Sequence, residues 1–203
     1  MKRLALALTA LALSAGAASA LTVTVPGTAN PFLAGATAGD SITMNGATDT
    51  FAIDAPTGIA VSAGHSITIA WLSGEVSNTP TCCTDPVTGG APISSSLINS
   101  STFTVEVNGY SNLPINSLIG VFWGPTLGTQ NVVEIGAGGT FVVPTGATEF
   151  YLATADGYEW NNNTGAFSVD ATVVPEPAAW LLMLGGFAGL GAGLRLRRRF
   201  AAA

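Results

Sequence analysis

The central part of this chain lacks positive charge. All six Lys and Arg residues lie at the two ends, and none occurs between Leu21 and Val174. That stretch carries eleven Asp and Glu, so eleven acids and no bases give a middle segment near −11, although the whole chain has a net charge of −6. A segment without Lys or Arg has no positive side chain to pair with the phosphates of a nucleic acid, and this excludes nucleic acid as a partner.

Side chains that usually perform catalysis are also scarce. The chain has one His, His65, and two Cys, and it contains neither a G-x-S-x-G nor an H-E-x-x-H motif. Most nucleophile–base pairs and zinc-hydrolase sites therefore cannot be assembled, and a structural zinc site lacks ligands. A pair of carboxylates for glycoside hydrolysis stays formally open, but no spacing singles out a pair. The sequence predicts a protein that is not an enzyme.

The N-terminus has the pattern of a secretory signal peptide. Lys2 and Arg3 precede an apolar run at 4–13, and small residues lead to Ala20. This order of a basic, an apolar and a small-residue region predicts a signal peptide over residues 1–20. The alternative is an uncleaved anchor, but ten apolar residues are too few to span the ~30 Å core of a bilayer.

The C-terminus combines a short extended motif, an apolar run and a basic end. Pro175, Glu176 and Pro177 keep the backbone extended, because proline is incompatible with a helix interior and restricts the residue before it. Residues 178–194 carry no charge, which predicts a transmembrane helix at the short limit of length. Four arginines follow, and basic residues hold a flank in the cytoplasm: Arg195, Arg197, Arg198 and Arg199.

The stretch "VPEPAAWLLMLGGFAGLGAGLRLRRRF" at 174–200 closely resembles the PEP-CTERM sorting signal of Gram-negative bacteria. The resemblance rests on the Pro-Glu-Pro motif, the apolar helix with its early Trp180 and the terminal arginines, in that order. It implies that residues 175–203 are recognised by an exosortase, a membrane-embedded processing enzyme. The protein would be anchored in the membrane at least transiently and then reach the cell surface or extracellular matrix. The alternative is a plain single-pass anchor.

Residues 21–174 have the composition of one extracytoplasmic all-β domain. Gly, Ser, Thr, Asn and Pro are abundant, and short apolar runs, some alternating with polar residues, recur between turn signals. The pattern predicts an antiparallel β-sandwich with no helix outside the chain ends. The predicted strands are 21–25, 51–53, 66–72, 102–107, 117–123, 131–135, 140–143, 148–154 and 166–173.

A long segment with little periodicity, residues 73–96, contains the adjacent Cys82 and Cys83. Loops of this length in compact domains are usually functional or held by a specific contact. Adjacent cysteines reach disulfide geometry only with strain. A vicinal disulfide, two free thiols and intermolecular disulfides all remain open in an exported protein.

Four stretches together resemble the galactose-binding-like β-sandwich of the PA-IL type of bacterial lectin. They are "AGHSITIAWLSGEVSNTP" (63–80), "LPINSLIGVFWG" (113–124), "GGTFVVPTGATEFYLATADG" (138–157) and "NNNTGAFSVDATV" (161–173). The resemblance covers about residues 60–174 and implies a jelly-roll sandwich. It leaves residues 21–59 unexplained.

In those lectins a turn like the one after Asp156 binds Ca²⁺, and the Ca²⁺ binds the sugar. The resemblance implies Asp156, Asn162 and Asn163 as side-chain ligands, with the backbone carbonyls of Asn78 and Glu159 as further ligands. Carboxylate, amide and carbonyl oxygens are the ligands that Ca²⁺ prefers. The alternative is an Asn-rich turn without a metal, which is common between strands.

The aromatic residues divide into two predicted groups. Tyr158 and Trp160 lie in the same turn and could stack on the apolar face of a sugar, whereas Trp71 and Trp123 lie within strand runs and are predicted to be core residues. Two functions follow. The first is a surface-displayed, calcium-dependent module that binds envelope polysaccharide or exopolysaccharide. The second is a structural matrix protein with no dedicated small ligand.

Overall fold

The computed structural model describes residues 19–78, 88–89, 104–127, 131–136, 138–175 and 186–189. One compact unit is Ala18–Val174, which contains its own hydrophobic core and all the strands described. This is what independent folding of residues 21–174 requires. A second unit combines Met1–Ala17 with Pro175–Ala203, and its residues 186–189 are helical.

The described residues are mostly β-strand, as the sequence predicts. The strands are β1 (Ser19–Pro26), β2 (Ser41–Met44), β3 (Ala47–Thr50), β4 (Thr57–Ala60), β5 (Ser66–Asn78), β6 (Thr88–Gly89), β7 (Thr104–Val107), β8 (Tyr110–Pro114), β9 (Leu118–Trp123), β10 (Asn131–Glu134), β11 (Gly138–Val142), β12 (Glu149–Thr154) and β13 (Asn163–Val174). Among the described residues of this unit, helical structure is limited to a single α-turn, α1 (Phe51–Asp54), and two 3-10 turns, Pro31–Leu33 and Trp160–Asn162.

Two antiparallel sheets carry the fold. The first has the order β1-β13-β5-β11, with β6 beside β5, and the second has the order β10-β9-β12-β4. Two hairpins, β2-β3 and β7-β8, form separate two-stranded sheets. The all-β, antiparallel prediction is confirmed for the described residues.

The core lies between the inner faces of the two sheets. Ile67 and Ile69 of β5 are fully buried while Thr68 between them is not, as the period of two requires. Phe141 of β11 stacks against Phe150 of β12 with ring centroids 6.2 Å apart, so side chains of the two sheets meet. Trp71 and Trp123 pack against this core while partly exposed, which agrees with the prediction that they are core residues.

The prediction of a strand at residues 51–53 is wrong, and so is the absence of helix within the domain. Phe51–Asp54 forms one α-helical turn. The Asp54 carboxylate reaches back and accepts a hydrogen bond of 2.8 Å from the backbone N–H of Thr50. Such a bond satisfies a donor that the start of a helix leaves free, and this local contact outweighs the β preference of a short apolar run.

Several predictions concern residues outside the described ranges. These predictions are the signal peptide, most of which is not described, the state of Cys82 and Cys83, and the C-terminal sorting signal. Of the sorting signal, Glu176, Pro177, most of the helix at 178–194 and all four arginines lie outside the described ranges. Within the part of the chain that the structure describes, no helix has the length and apolarity needed to cross a membrane.

The connection from β12 to β13 leads from the second sheet to the first. β12 ends at Thr154 and β13 begins at Asn163, so residues 155–162 bridge the two sheets at one end of the sandwich. Asn78, the last residue of β5, lies opposite Asn163 in the strand register. The fold therefore brings the backbone of Asn78 to the turn that contains the predicted calcium ligands.

Candidate functional site

The turn between β12 and β13 is anchored by Trp160. Its side chain is 0% exposed, and its indole Nε1 donates a 2.9 Å hydrogen bond to the carbonyl oxygen of Thr154. The ring of Phe32 meets it edge-on, with centroids 5.7 Å apart. Glu159, just before it, has a left-handed backbone conformation at φ 65° and ψ 49°, which is uncommon for a residue other than glycine.

Asp156 and Asn163 meet across the turn. The Asn163 Nδ2 atom donates a 2.9 Å hydrogen bond to Asp156 Oδ2 and also lies 3.2 Å from the carbonyl oxygen of Gly27. The other carboxylate oxygen, Asp156 Oδ1, accepts from the backbone N–H of Gly157 at 2.6 Å. The structure thus brings together two of the three predicted side-chain ligands, and both are buried.

Burial raises the pKa of Asp156 above its usual value of 3.8. Hydrogen bonds from Asn163, Gly157 and Tyr158 oppose this shift, and the nearby charge of Asp49 adds to it. A neighbouring cation would favour the ionised form instead. No Lys or Arg exists anywhere in residues 21–174 to supply that charge.

The amide oxygen of Asn163 makes no hydrogen bond in the structure. The residue is 4% exposed, and its Oδ1 atom is buried without a hydrogen-bond partner. An unsatisfied buried carbonyl is costly in a protein interior. Rotating the amide by half a turn exchanges Nδ2 and Oδ1, which would turn this oxygen toward Asp156. A carboxylate and an amide oxygen suit a Ca²⁺ ion, so these residues fit the predicted metal.

The remaining predicted ligands lie beside this pair. Asn162 Nδ2 lies 3.3 Å from Glu159 Oε2, so these two side chains contact each other. The backbone of Asn78 lies opposite Asn163. Among the described residues, no group of three or more His, Cys, Asp or Glu side chains is placed to hold a metal ion. A cation here would depend on amide and carbonyl oxygens together with one carboxylate.

The two aromatic residues of the turn have different environments. Tyr158 is 40% exposed and lies two residues after Asp156, so its ring is accessible to a ligand. The prediction that Trp160 stacks on a sugar is wrong, because its ring is completely enclosed by protein. A spacing of two residues within a tight turn placed one aromatic outside and the other in the interior.

Sequence reasoning missed Asp49, which contacts the same turn from β3. Its carboxylate accepts hydrogen bonds from the backbone N–H groups of Trp160, at 3.3 Å, and Asn161, at 3.1 Å. Asn30 Nδ2 donates to the same carboxylate at 3.0 Å. Asp49 belongs to the region that the lectin resemblance leaves unexplained. Its only sequence signal is an acid within a polar strand that follows an Asn-Gly turn.

Comparison with solved structures gives a structural likeness, whereas comparison with families and curated proteins gives none. No known protein family's model matches the chain, and no curated protein matches it. The chain is similar to a solved structure described as "EclA N-terminal domain; PllA-like lectin", with 16% identity and a TM-score of 0.38. The match covers 75% of this chain and 94% of that one. The PEP-CTERM resemblance stays a prediction.

Proposed function

We propose that residues 21–174 form a non-enzymatic carbohydrate-binding module that uses Ca²⁺. The polysaccharide would be a component of the cell envelope or its surrounding matrix. In this proposal residues 1–20 are a signal peptide that directs export, and residues 175–203 are a sorting signal that an exosortase recognises. The ligand site is the turn between β12 and β13, with Asp156 and Asn163 as metal ligands and Tyr158 as the contact for the sugar ring.

One observation carries the proposal. The buried carboxylate of Asp156 lies against Asn163, whose Oδ1 atom has no partner, in a domain that has no Lys or Arg. A buried carboxylate needs a compensating charge or several donors to remain ionised. A divalent cation would supply that charge and would also satisfy the Asn163 oxygen. Exposed hydroxyl groups of a sugar can complete the shell of a Ca²⁺ ion, since Ca²⁺ takes six to eight oxygen ligands.

The test is thermal unfolding of residues 21–174 in calcium and in EDTA. A ligand that binds only the folded state stabilises it by RT ln(1 + [L]/Kd), so millimolar calcium with a micromolar Kd adds about 4 kcal/mol. For a domain of this size that corresponds to a rise in Tm of roughly 8–16 °C. The D156N variant should lose most of the response, because it removes the negative charge of the site's one carboxylate and leaves a single neutral amide oxygen in its place.

A matched control is D170N. Asp170 lies on β13 and accepts a hydrogen bond of 2.7 Å from Thr22. It is partly exposed, and seven residues of extended strand, about 23 Å, separate it from Asn163. This variant should keep the full calcium response. A glycan array with wild type and Y158A then tests the sugar contact. Identical melting curves in calcium and EDTA would contradict the metal site.

A purely structural function is favoured by the hydrogen bonds that the Asp156 carboxylate already receives within the protein. Asp156 accepts hydrogen bonds from Asn163 Nδ2 and from the backbone of Gly157, so both oxygens of its carboxylate already have protein donors. The sandwich could then serve as a structural matrix protein without a small ligand. Equal melting curves together with an empty glycan array would support this function over the first.

A further inference from the structure

Asp49 binds the main chain of the site turn from a distant part of the sequence. It is 1% exposed and lies on β3, more than one hundred residues before the turn. Its two carboxylate oxygens accept the N–H groups of consecutive residues, Trp160 and Asn161. Hydrogen bonds of a buried carboxylate to backbone N–H groups are charge-assisted and stronger than neutral ones.

Asp49 acts together with Asn30, Phe32 and Thr48, which also contact the turn or Asp49 itself; these four residues are called the clamp below. Asn161 Nδ2 donates a 3.1 Å hydrogen bond to the carbonyl oxygen of Thr48, the residue before Asp49. Asn30 donates from Nδ2 to Asp49 and accepts at Oδ1 from the backbone N–H of Phe32 at 2.8 Å. Since Phe32 packs against the Trp160 ring, the clamp holds both the backbone and the side chain of Trp160.

The clamped residues come directly before Asn163. The 3-10 turn Trp160–Asn162 ends where β13 begins, and Asn163 is the first residue of that strand. The direction of the Asn163 side chain toward Asp156 therefore depends on the path of this turn. A buried carboxylate that also lies near Asp156 adds negative charge where a cation would bind.

We infer that Asp49 is a positioning residue: it holds the Trp160–Asn162 turn in the conformation in which Asn163 meets Asp156. Its consequence for calcium binding rests on the function proposed above, whereas its effect on the turn does not. The segment that contains Asn30, Phe32 and Asp49 thereby has a role in building the site.

The test compares D49A, D49N and the control D170N in residues 21–174. Amide hydrogen exchange at Trp160 and Asn161 is measured against Val169, which lies in the middle of β13. In D49A, exchange at the two turn amides should accelerate at least about tenfold relative to Val169, because their acceptor is removed. D49N keeps one acceptor oxygen and should restore part of the protection. D170N should change neither ratio.

Calcium titration of the same proteins provides the second readout. D49A should bind calcium at least about tenfold more weakly than wild type and clearly more weakly than D49N. Both variants lose the same nearby charge, so the difference between them reports the lost positioning of the turn. A residue that only contributes to overall stability would accelerate exchange at Val169 as much as at the turn. It would also leave folded D49A and folded D49N with the same calcium affinity. Either of those results overturns the inference.

The two proposals can fail separately. If wild type binds calcium and D49A exchanges uniformly, the positioning role fails while the calcium site stands. If wild type binds no calcium, the calcium site fails. Exchange alone then decides the positioning role: selective acceleration at Trp160 and Asn161 supports it, and unchanged ratios overturn it.

Discussion

Replacing Trp160 by Phe separates the structural role of this residue from ligand binding. The indole is completely buried, and the change removes the 2.9 Å hydrogen bond to the Thr154 carbonyl together with part of the buried ring. The lost hydrogen bond costs about 1 kcal/mol. The smaller ring leaves a partial cavity that costs roughly 1–2 kcal/mol, well below the 3–5 kcal/mol of a truncation to alanine. The expected loss is about 2–3 kcal/mol.

Denaturation in urea, followed by circular dichroism, measures this loss. At 2–4 °C per kcal/mol for a domain of this size, the Tm should also fall by roughly 4–12 °C. The comparison variant is Y158A, whose side chain is 40% exposed and whose stability should stay within about 0.5 kcal/mol of wild type. Y158A should lose sugar affinity, whereas folded W160F should keep it. The reasoning is refuted if W160F unfolds like wild type and loses sugar binding instead.

Two further predictions concern a buried acid and a glycine. Burial, and to a lesser degree the charge of Asp49, raise the pKa of Asp54 above 3.8, so its stabilising effect is full below pH 3.8 and is lost as pH rises through the native pKa. D54N should therefore be more stable than wild type at pH 7, with the difference vanishing in acid, and urea titrations across pH check this; a constant difference would contradict it. Gly165 has φ +84°, and an added Cβ would overlap the carbonyl oxygen of Glu75 across the β5–β13 ladder. G165A should cost about 3 kcal/mol or more, whereas G46A, at φ +88° with open space around it, should cost roughly 1 kcal/mol; equal losses in melting experiments would refute the clash.

The main strands could be predicted because their pattern is local. In β5 and β13 the apolar residues alternate with polar ones along one buried face, and this period of two is visible without any tertiary information. The hairpin β2-β3 was missed, although Asn45-Gly46 joins its strands with positive φ at both residues, 49° and 88°. An Asn-Gly pair between short polar strands is a strong hairpin signal.

The composition of the site could be predicted only in part. The lectin resemblance implied Asp156 and Asn163 as ligands of one ion, and the structure brings these two side chains into contact. Whether a ring in that turn faces solvent depends on what packs against it. Phe32 covers Trp160, and nothing in the local sequence indicates that contact. The role of Asp49 was hidden for the same reason, since its partners lie 111 and 112 residues away along the chain.

Stability and ligand binding are linked in this domain through its buried acids. Asp49, Asp54 and Asp156 are all buried, and no Lys or Arg is present in residues 21–174 to pair with them. Asp49 receives three N–H donors and is well satisfied, whereas Asp54 has one carboxylate oxygen without a partner. A chain that buries carboxylates without cationic side chains must use backbone and amide N–H groups, protons or an external cation. The first of these is met at Asp49 and at Asp156, which each receive three N–H donors, whereas Asp54 accepts one from Thr50. In the function proposed above, an external cation at the turn would pair with the Asp156 carboxylate and with the unpartnered Oδ1 atom of Asn163.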